Sequence, residues 1–235
     1  MWDNVGKSFA KAFELMGARD QILTEIVRTT MNMAFRSSIV AFLLGVPIGL
    51  LVAMNDFKGK KAIVAFMRTM MGLPAVAVGI LVYMLFSGTG PFGHLKLIFS
   101  VKLMVIAQVI LITPVVAGMT ETSVSKSTDK ILETARGLNL NPLKKFLLIL
   151  NESKYQLIAI YMFAIARSLS EVGAVQIVGG NILHKTRVMT TAIALNYNMG
   201  EFALAVALGF ILILIVLSIN VVATLLQMTL EKTNK

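Results

Sequence analysis

The stretch "FALAVALGFILILIVLSINVVATLLQMTL", residues 202–230, contains no charged residue. A helix that crosses the hydrocarbon layer of a bilayer needs about 20 mostly apolar residues, whereas the buried helices of soluble proteins rarely hold so long an uninterrupted apolar run. This stretch meets the requirement of a membrane span. The sequence therefore predicts a membrane protein that is built from helices.

Further apolar runs along the chain have the same character. We predict about five spans in a single transmembrane domain that covers residues 1–235, and they lie near residues 22–54, 62–86, 101–119, 155–177 and 202–228. The first span begins well before its most apolar part, because Ile22, Ile26 and Met33 continue a helical spacing. Arg28 and Arg36 lie off that apolar stripe. The fold class is all-α.

The composition supports a membrane protein and excludes several kinds of chemistry. Hydrophobic residues make up 57% of the chain and charged residues only 14%, whereas about 25% is usual for a soluble globule. The chain has no cysteine, which excludes disulfides, thiolate metal sites and cysteine nucleophiles. Its net charge of +10 fits loops that contact anionic membrane lipid, and we expect no nucleic-acid partner.

The distribution of Lys and Arg between the loops predicts the orientation of the chain. Short loops that are rich in these residues stay on the cytoplasmic side. One side holds far more of them, at Lys58, Lys60, Lys61, Lys126, Lys130, Arg136, Lys144, Lys145, Lys154, Lys232 and Lys235. The loops of the other side hold Lys96, Lys185 and Arg187, and the excess persists when the N-terminal segment is added to them. We expect the N-terminus outside and the C-terminus in the cytoplasm.

The long cytoplasmic loop, residues 120–154, is too polar to span a membrane. In the segment from Ser127 to Gly137, its pattern predicts a helix that Asp129 caps at the start and that Gly137 stops. A second helix is predicted from Pro142 to Leu150, because proline is favoured in the first turn of a helix. The loop is thus a helical hairpin, and composition alone also allows it to lie on the membrane surface.

A charge pair interrupts the apolar stretch "FAIARSLSEVGAVQIVGG", residues 163–180. An ionised residue at the centre of a bilayer costs at least about 2.5–3.5 kcal/mol. Arg167 and Glu171 are four residues apart and would share one helical face. Three interpretations remain open, namely an internal pair, a contact with another subunit, and an anion site in which Glu171 serves as the counter-charge.

The hairpin residues Glu133, Ala135, Gly137 and Leu138, followed by an apolar stretch, resemble the coupling loop of the permease subunits of ATP-binding-cassette importers. The chain differs from that motif at Thr134, where the family has alanine, and at Leu150–Asn151, where it has a Leu-Pro pair. The resemblance implies that this loop contacts a cytoplasmic ATPase and transmits its closure to the spans.

Three longer strings resemble the tungstate importer permeases, a group within the molybdate and sulfate oxyanion branch of that family. They are "LGVPIGLLVA" (44–53), "GLPAVAVGILVYMLFSGTGPFG" (72–93) and "RSLSEVGAVQIVGGNILHKTRVMTTAIAL" (167–195). Together with the coupling loop, the resemblance extends over nearly the whole chain after about residue 22.

The resemblance implies a type I importer permease fold with a cytoplasmic coupling helix, acting as a homodimer in the plasma membrane of a bacterium or archaeon. The partners that it implies are cytoplasmic ATPase subunits and an extracytoplasmic tungstate-binding protein. The substrate would be tungstate, with molybdate as a second candidate. The chain itself would be non-catalytic and would carry no cofactor, because the ATPase binds ATP and Mg²⁺.

Five residues are candidates for the translocation path or its gate, namely Arg167, Glu171, Asn181, Thr186 and Arg187. Near the outer mouth, Thr190 and Thr191 offer further donors, and the backbone amides around Gly179 and Gly180 would suit an anion-binding nest. The other interpretation is that these donors hold the loop together or form the interface with the binding protein.

Two other classes of function were weighed against the importer. A gradient-driven anion transporter or channel would need no ATPase, but the chain shows no inverted repeats, which many such folds contain. A membrane enzyme would need a catalytic motif. The chain has no H-E-x-x-H spacing and no complete G-x-x-x-x-G-K-S/T phosphate-binding motif, and His94 and His184 lie in separate loops.

Overall fold

The fold was analysed on a computed structural model that describes residues 20–137 and 139–233, together with residues 6, 9, 10, 13, 14 and 17. The side chains of residues 126–130, 132, 134–136 and 226–233 lie outside the description. Within the described ranges the secondary structure is helical, without β-strands. The predicted all-α membrane fold is thereby confirmed.

The helices follow one another with short connections. They are α1 (Gln21–Met54), α2 (Lys60–Met71), α3 (Ala75–Phe86), α4 (Val101–Gly137), α5 (Pro142–Glu152), α6 (Lys154–Leu169), α7 (Gly173–Gly179), α8 (Met189–Asn198) and α9 (Phe202–Thr233). A short 3₁₀ turn, Gly93–Leu95, lies between α3 and α4. Helix α1 begins at Gln21, as its apolar spacing predicts.

Three segments of the described chain are long and apolar enough to cross a bilayer on their own, namely Gln21–Met54, Val101–Ser125 and Phe202–Leu225. Two bent pairs, α2 with α3 and α6 with α7, raise the number to five if each pair counts as one span. The run at 62–86 is therefore two helices. Gly72 ends α2, and Pro74 cannot continue a helix because it lacks a backbone donor.

The second break lies at Ser170–Val172, in the run that the sequence predicts as one span at 155–177. Side chains satisfy the backbone groups that the break releases. The Ser170 hydroxyl donates to the Arg167 carbonyl (3.0 Å), and the Glu171 carboxylate accepts the Ala174 amide (3.3 Å). Such local hydrogen bonds compete with those of a continuous helix, so Glu171 lies beyond the end of α6.

The chain divides into two compact units. The first consists of residues Met1–Ser37, Pro74–Gln108 and Arg167–Ser218. Its apolar core joins α1, α8 and α9 through Leu23, Ile26, Met189, Ala192, Ala207 and Leu208. Helix α3 packs closely on α7, because a Cβ atom at Gly79 would lie 2.8 Å from Ala174 Cα.

The second unit consists of Ser38–Leu73, Val109–Ala166 and Ile219–Lys235. Its core includes Val52, Met67 and Ala117. Gly45 and Gly49 allow α1 to approach α4, and a Cβ atom at Gly49 would lie 2.5 Å from the Ala117 carbonyl oxygen. The four-residue spacing of Gly45 and Gly49 thus serves helix packing within the chain.

Candidate functional site

The hairpin of α4 and α5 is built differently from its predicted form. Helix α4 runs without interruption from Val101 to Gly137, so no new helix starts near Asp129. No glycine or proline lies between Gly118 and Gly137 to break it. The predicted end at Gly137 and the second helix, observed as Pro142–Glu152, are both confirmed.

Of the four predicted coupling residues, the structure describes two completely. Glu133 and Gly137 are exposed. The Ala135 side chain and the whole of Leu138 lie outside the described residues. A Cβ atom at Gly137 would meet no heavy atom within 4 Å. The space beside Gly137 is therefore open in this chain, and a bulky side chain there would not disturb the chain's own packing.

Helix α5 is fixed at its start and presents apolar residues at its surface. The Asn141 side chain accepts the Lys144 amide at 2.8 Å, and Pro142 occupies the first turn. Ile149 is fully buried, whereas Leu143 and Leu147 are 67% and 51% exposed. Residues at i and i+4 are neighbours on a helix, so these two leucines form one exposed apolar patch.

Arg167 and Glu171 form the predicted ion pair. The Arg167 Nη1 atom lies 3.0 Å from Glu171 Oε2. The Glu171 side chain is 6% exposed and that of Arg167 is 35% exposed. The Thr190 hydroxyl donates to the Glu171 carbonyl at 2.9 Å, which ties this break to α8. Within one chain the geometry is that of an internal pair.

The loop between α7 and α8 uses its polar side chains to hold itself together. Asn181 has a left-handed backbone (φ 49°), a conformation that asparagine tolerates well. Its side-chain oxygen accepts from Arg187 Nε (3.2 Å) and from the Thr191 hydroxyl (3.0 Å). Buried Thr186 donates to the Gly179 carbonyl at 2.6 Å and accepts the Ile182 amide at 3.0 Å.

These hydrogen bonds favour one of the two interpretations of this loop, namely that its donors hold the loop together. Arg187 Nη2 also donates to the Asn181 carbonyl, at 3.3 Å. The Gly180 amide donates to the Gln176 carbonyl and closes α7, so it is not aimed at a ligand. The donors Asn181, Thr186 and Arg187 lie together in this loop, and their observed partners are loop atoms.

A buried polar cluster is a feature that the sequence analysis missed. The Ser37 and Ser168 hydroxyls both donate to Gln108 Oε1, at 2.6 and 2.7 Å, and Gln108 Nε2 donates to the Ser168 carbonyl at 2.9 Å. All three residues are fully buried. The isolated glutamine within an apolar run was the available signal, since buried polar side chains need partners.

A second missed feature is the polar face of α1. Arg28, Asn32 and Arg36 follow one another at four-residue intervals and are all exposed. The sequence places the two arginines off the apolar stripe, but it does not show whether another helix of the chain covers them. In the described chain none does.

Comparison with known proteins identifies the family of this chain. The family described as binding-protein-dependent transport system inner membrane component matches residues 45–233. The chain is similar to the tungstate uptake system permease protein TupB of Peptoclostridium acidaminophilum, with 32% identity over 95% of this chain and 98% of that protein. It is 34% identical to TupB of Campylobacter jejuni, over 97% of this chain and 95% of the relative.

A more distant relative is a probable anion ABC transporter permease protein of Haloferax volcanii, 32% identical over 84% of this chain and 88% of that protein. Among solved structures, an inward-facing form of the MetNI methionine ABC transporter matches with a TM-score of 0.73. That match covers 89% of this chain and 96% of the solved chain at 15% identity, so it supports the fold alone. The chain belongs to the family of binding-protein-dependent transport system inner membrane components and is a permease subunit of an ATP-binding-cassette importer.

Proposed function

We propose that the chain forms the membrane path of an importer for tungstate, with molybdate as its second substrate. The observation that carries this proposal is the similarity to two tungstate uptake permeases, at 32% and 34% identity over nearly the full length of this chain and of each relative. Both substrates are tetrahedral dianions, which cannot cross hydrocarbon without a polar route.

The working assembly is a homodimer of this chain with two cytoplasmic ATPase subunits and an extracytoplasmic oxyanion-binding protein. The family's description as a binding-protein-dependent system supports the last partner. ATP and Mg²⁺ are bound by the ATPase, and this chain neither hydrolyses ATP nor carries a cofactor. Selection between tungstate and molybdate then rests mainly with the binding protein.

The assembly lies in the plasma membrane of a bacterium or archaeon, with the N-terminus outside and the C-terminus in the cytoplasm. The excess of Lys and Arg in the loops on one side supports this orientation. It places the hairpin of α4 and α5 in the cytoplasm. The loop between α7 and α8 then faces the binding protein.

In this assembly the hairpin couples the ATPase to the spans through Glu133, Ala135, Gly137 and Leu138. Two features support this coupling role, namely the open space beside Gly137 and the exposed pair Leu143 and Leu147. Apolar side chains that project into water from a short helix suit a protein interface.

Arg167 and Glu171 hold the break between α6 and α7 next to the path. Asn181, Thr186 and Arg187 shape the outer mouth through the hydrogen bonds of their loop. Contact of these five residues with the anion would then be indirect, through the positions of the elements that they fix.

The test measures tungsten and molybdenum in cells that are supplied with nanomolar oxyanion. Cells with the intact system are compared with cells that lack this chain and with cells whose ATPase is inactivated by a catalytic substitution. Loss of tungsten accumulation in both altered strains supports the proposal. Undiminished tungsten content without this chain contradicts it, and loss of sulfate or phosphate uptake instead would assign another oxyanion.

A further inference from the structure

The polar face of α1 has no partner within its own chain. No described residue forms an ion pair or a side-chain hydrogen bond with Arg28, Asn32 or Arg36. All three residues are exposed. Further along the same helix the exposed residues become apolar, at Ile39, Val40 and Leu43. We call Arg28, Asn32 and Arg36 the cationic face.

The cationic face lies at a depth where neighbouring spans are apolar. Ile26 packs in one cluster with Ala207 and Leu208 of α9, whose stretch from Phe202 to Leu230 has no charge. When each bent pair of helices is counted as one span, one span separates α1 from α4 and another separates α4 from α9. The helices α1, α4 and α9 then run in the same direction. Arg36 is ten residues beyond Ile26, which is about 15 Å along the helix.

A second contact gives the same result. Ser37, next to Arg36, bonds to Gln108, which lies about 10 Å from the start of α4. Arg36 therefore lies beside two candidate spans rather than beyond their ends. A charged side chain at such a depth faces the interior of a bundle or a water-filled path, because exposure to lipid is costly.

The described carboxylates of the candidate spans already have partners within their own chain. Among the described residues of the candidate spans, Glu25 bonds to His184 (2.6 Å) and Glu171 to Arg167 (3.0 Å), while Glu121 lies 3.9 Å from Arg68. The counter-charge of the cationic face must then come from elsewhere. A dianion in transit, together with water, would supply it.

The outer end of the face opens on a cavity of about 730 Å³. Its walls come from α1 and from the loop between α7 and α8, at Gln21, Ile22, Thr24, Glu25, Arg28 and His184. Arg28, the first residue of the cationic face, is therefore part of the cavity wall. A tetrahedral oxyanion is small compared with this volume and would enter it together with water.

We propose that the cationic face of α1 conducts the tetrahedral dianion through the outer part of the membrane, with this cavity as its entrance. The inference rests on the proposed oxyanion import. Guanidinium groups bind oxyanion oxygens through paired charged hydrogen bonds. Arg28 and Arg36 are about 12 Å apart along the helix axis and cannot hold one anion together. Each single positive charge binds a dianion weakly, which allows it to move on.

The first test uses the absence of cysteine from the chain. Asn32→Cys is introduced into the complete transporter and treated with an anionic and a cationic methanethiosulfonate reagent of similar size. The anionic reagent should label it several-fold faster, and excess tungstate should slow labelling. Adding Arg36→Gln to the Asn32→Cys variant should remove the difference between the labelling rates of the two reagents. Leu43→Cys, on the exposed apolar part of the same helix, should stay unlabelled.

The second test measures transport by the same assembly. Arg36→Gln should lower tungstate uptake by roughly 10- to 100-fold, the effect of losing one charged hydrogen-bonding group. Lys102→Gln removes an equally exposed positive charge from the start of α4 and should leave uptake unchanged. Arg36→Lys keeps the charge and should retain most of the uptake.

The outcomes separate the two proposals. Absence of tungstate uptake by the unaltered transporter would contradict the proposed substrate. Normal uptake by Arg36→Gln, equal labelling of Asn32→Cys by both reagents, or no labelling at all would overturn the role of the cationic face. The last result would mean that protein, such as the second copy, covers it.

Discussion

Gly49 lies where α1 meets α4 within the second unit. Any side chain there would collide with the main chain, because its Cβ atom would lie 2.5 Å from the Ala117 carbonyl oxygen. We expect Gly49→Val to lower the free energy of unfolding of the purified protein by about 1–3 kcal/mol, the usual cost of overpacking, and so to lower its melting temperature. Gly209→Val is the matched control, since nothing lies within 4 Å of its position. Equal melting temperatures of the two variants would contradict the packing described.

The ion pair of Arg167 and Glu171 predicts an asymmetry between its two partners. Arg167→Met strands a carboxylate that is 6% exposed, whereas Glu171→Gln leaves an arginine that is 35% exposed and can reach water. Removing one partner of a buried pair costs up to about 3–5 kcal/mol. We expect Arg167→Met to destabilise more than Glu171→Gln, and the double variant less than Arg167→Met alone. Thermal unfolding in detergent measures all three, and additive losses would rule out the pair.

At the scale of elements, Gln108 joins α1, α4 and α6 in the first unit through its bonds with Ser37 and Ser168. Gln108→Met keeps the volume but leaves the Ser168 carbonyl and two hydroxyls with fewer partners. Interhelical hydrogen bonds in membrane proteins contribute about 0.6–1.7 kcal/mol, so a loss of about 1–2 kcal/mol is expected. Gln176→Met, at an exposed position of α7, should change the melting temperature little. A cluster without energetic weight would give the two variants the same melting temperature.

The ends of elements could be predicted where a residue determines them locally. Pro142 begins α5 and Gly137 ends α4, because each acts through its own backbone. The break at Ser170–Val172 was not predictable in this way, since no proline or glycine precedes it there. It depends on tertiary hydrogen bonds, such as that of Thr190 with the Glu171 carbonyl.

The candidate site shows the same division between pattern and packing. The pairing of Arg167 with Glu171 followed from their spacing. The spacing of Arg28, Asn32 and Arg36 was equally visible, but whether another helix covers them is decided by contacts far apart in sequence. Ile26 lies in one core cluster with Leu208, and this packing of the apolar stripe leaves the arginines on the exposed side of α1.

At the scale of the whole molecule, the hairpin should transmit ATPase closure. Gly137→Trp fills a space that is open in this chain, so membrane insertion and folding should persist while the ATPase is held away. We expect tungstate uptake to fall at least tenfold, with normal amounts of the protein in the membrane. Gly88→Trp places the same side chain at an exposed position of the loop between α3 and α4, where nothing lies within 4 Å of the added Cβ atom either. Full uptake by Gly137→Trp would remove the coupling role of this hairpin.

We expect this chain to conduct a tetrahedral oxyanion only when a partner ATPase hydrolyses ATP. The most direct measurement reconstitutes the complete complex in liposomes, with the binding protein and labelled tungstate on its side of the membrane. An ATP-driven importer should give uptake that requires hydrolysable ATP and persists when ionophores collapse the ion gradients. Uptake that continues without ATP and stops when the gradients collapse would contradict it and identify a gradient-driven transporter.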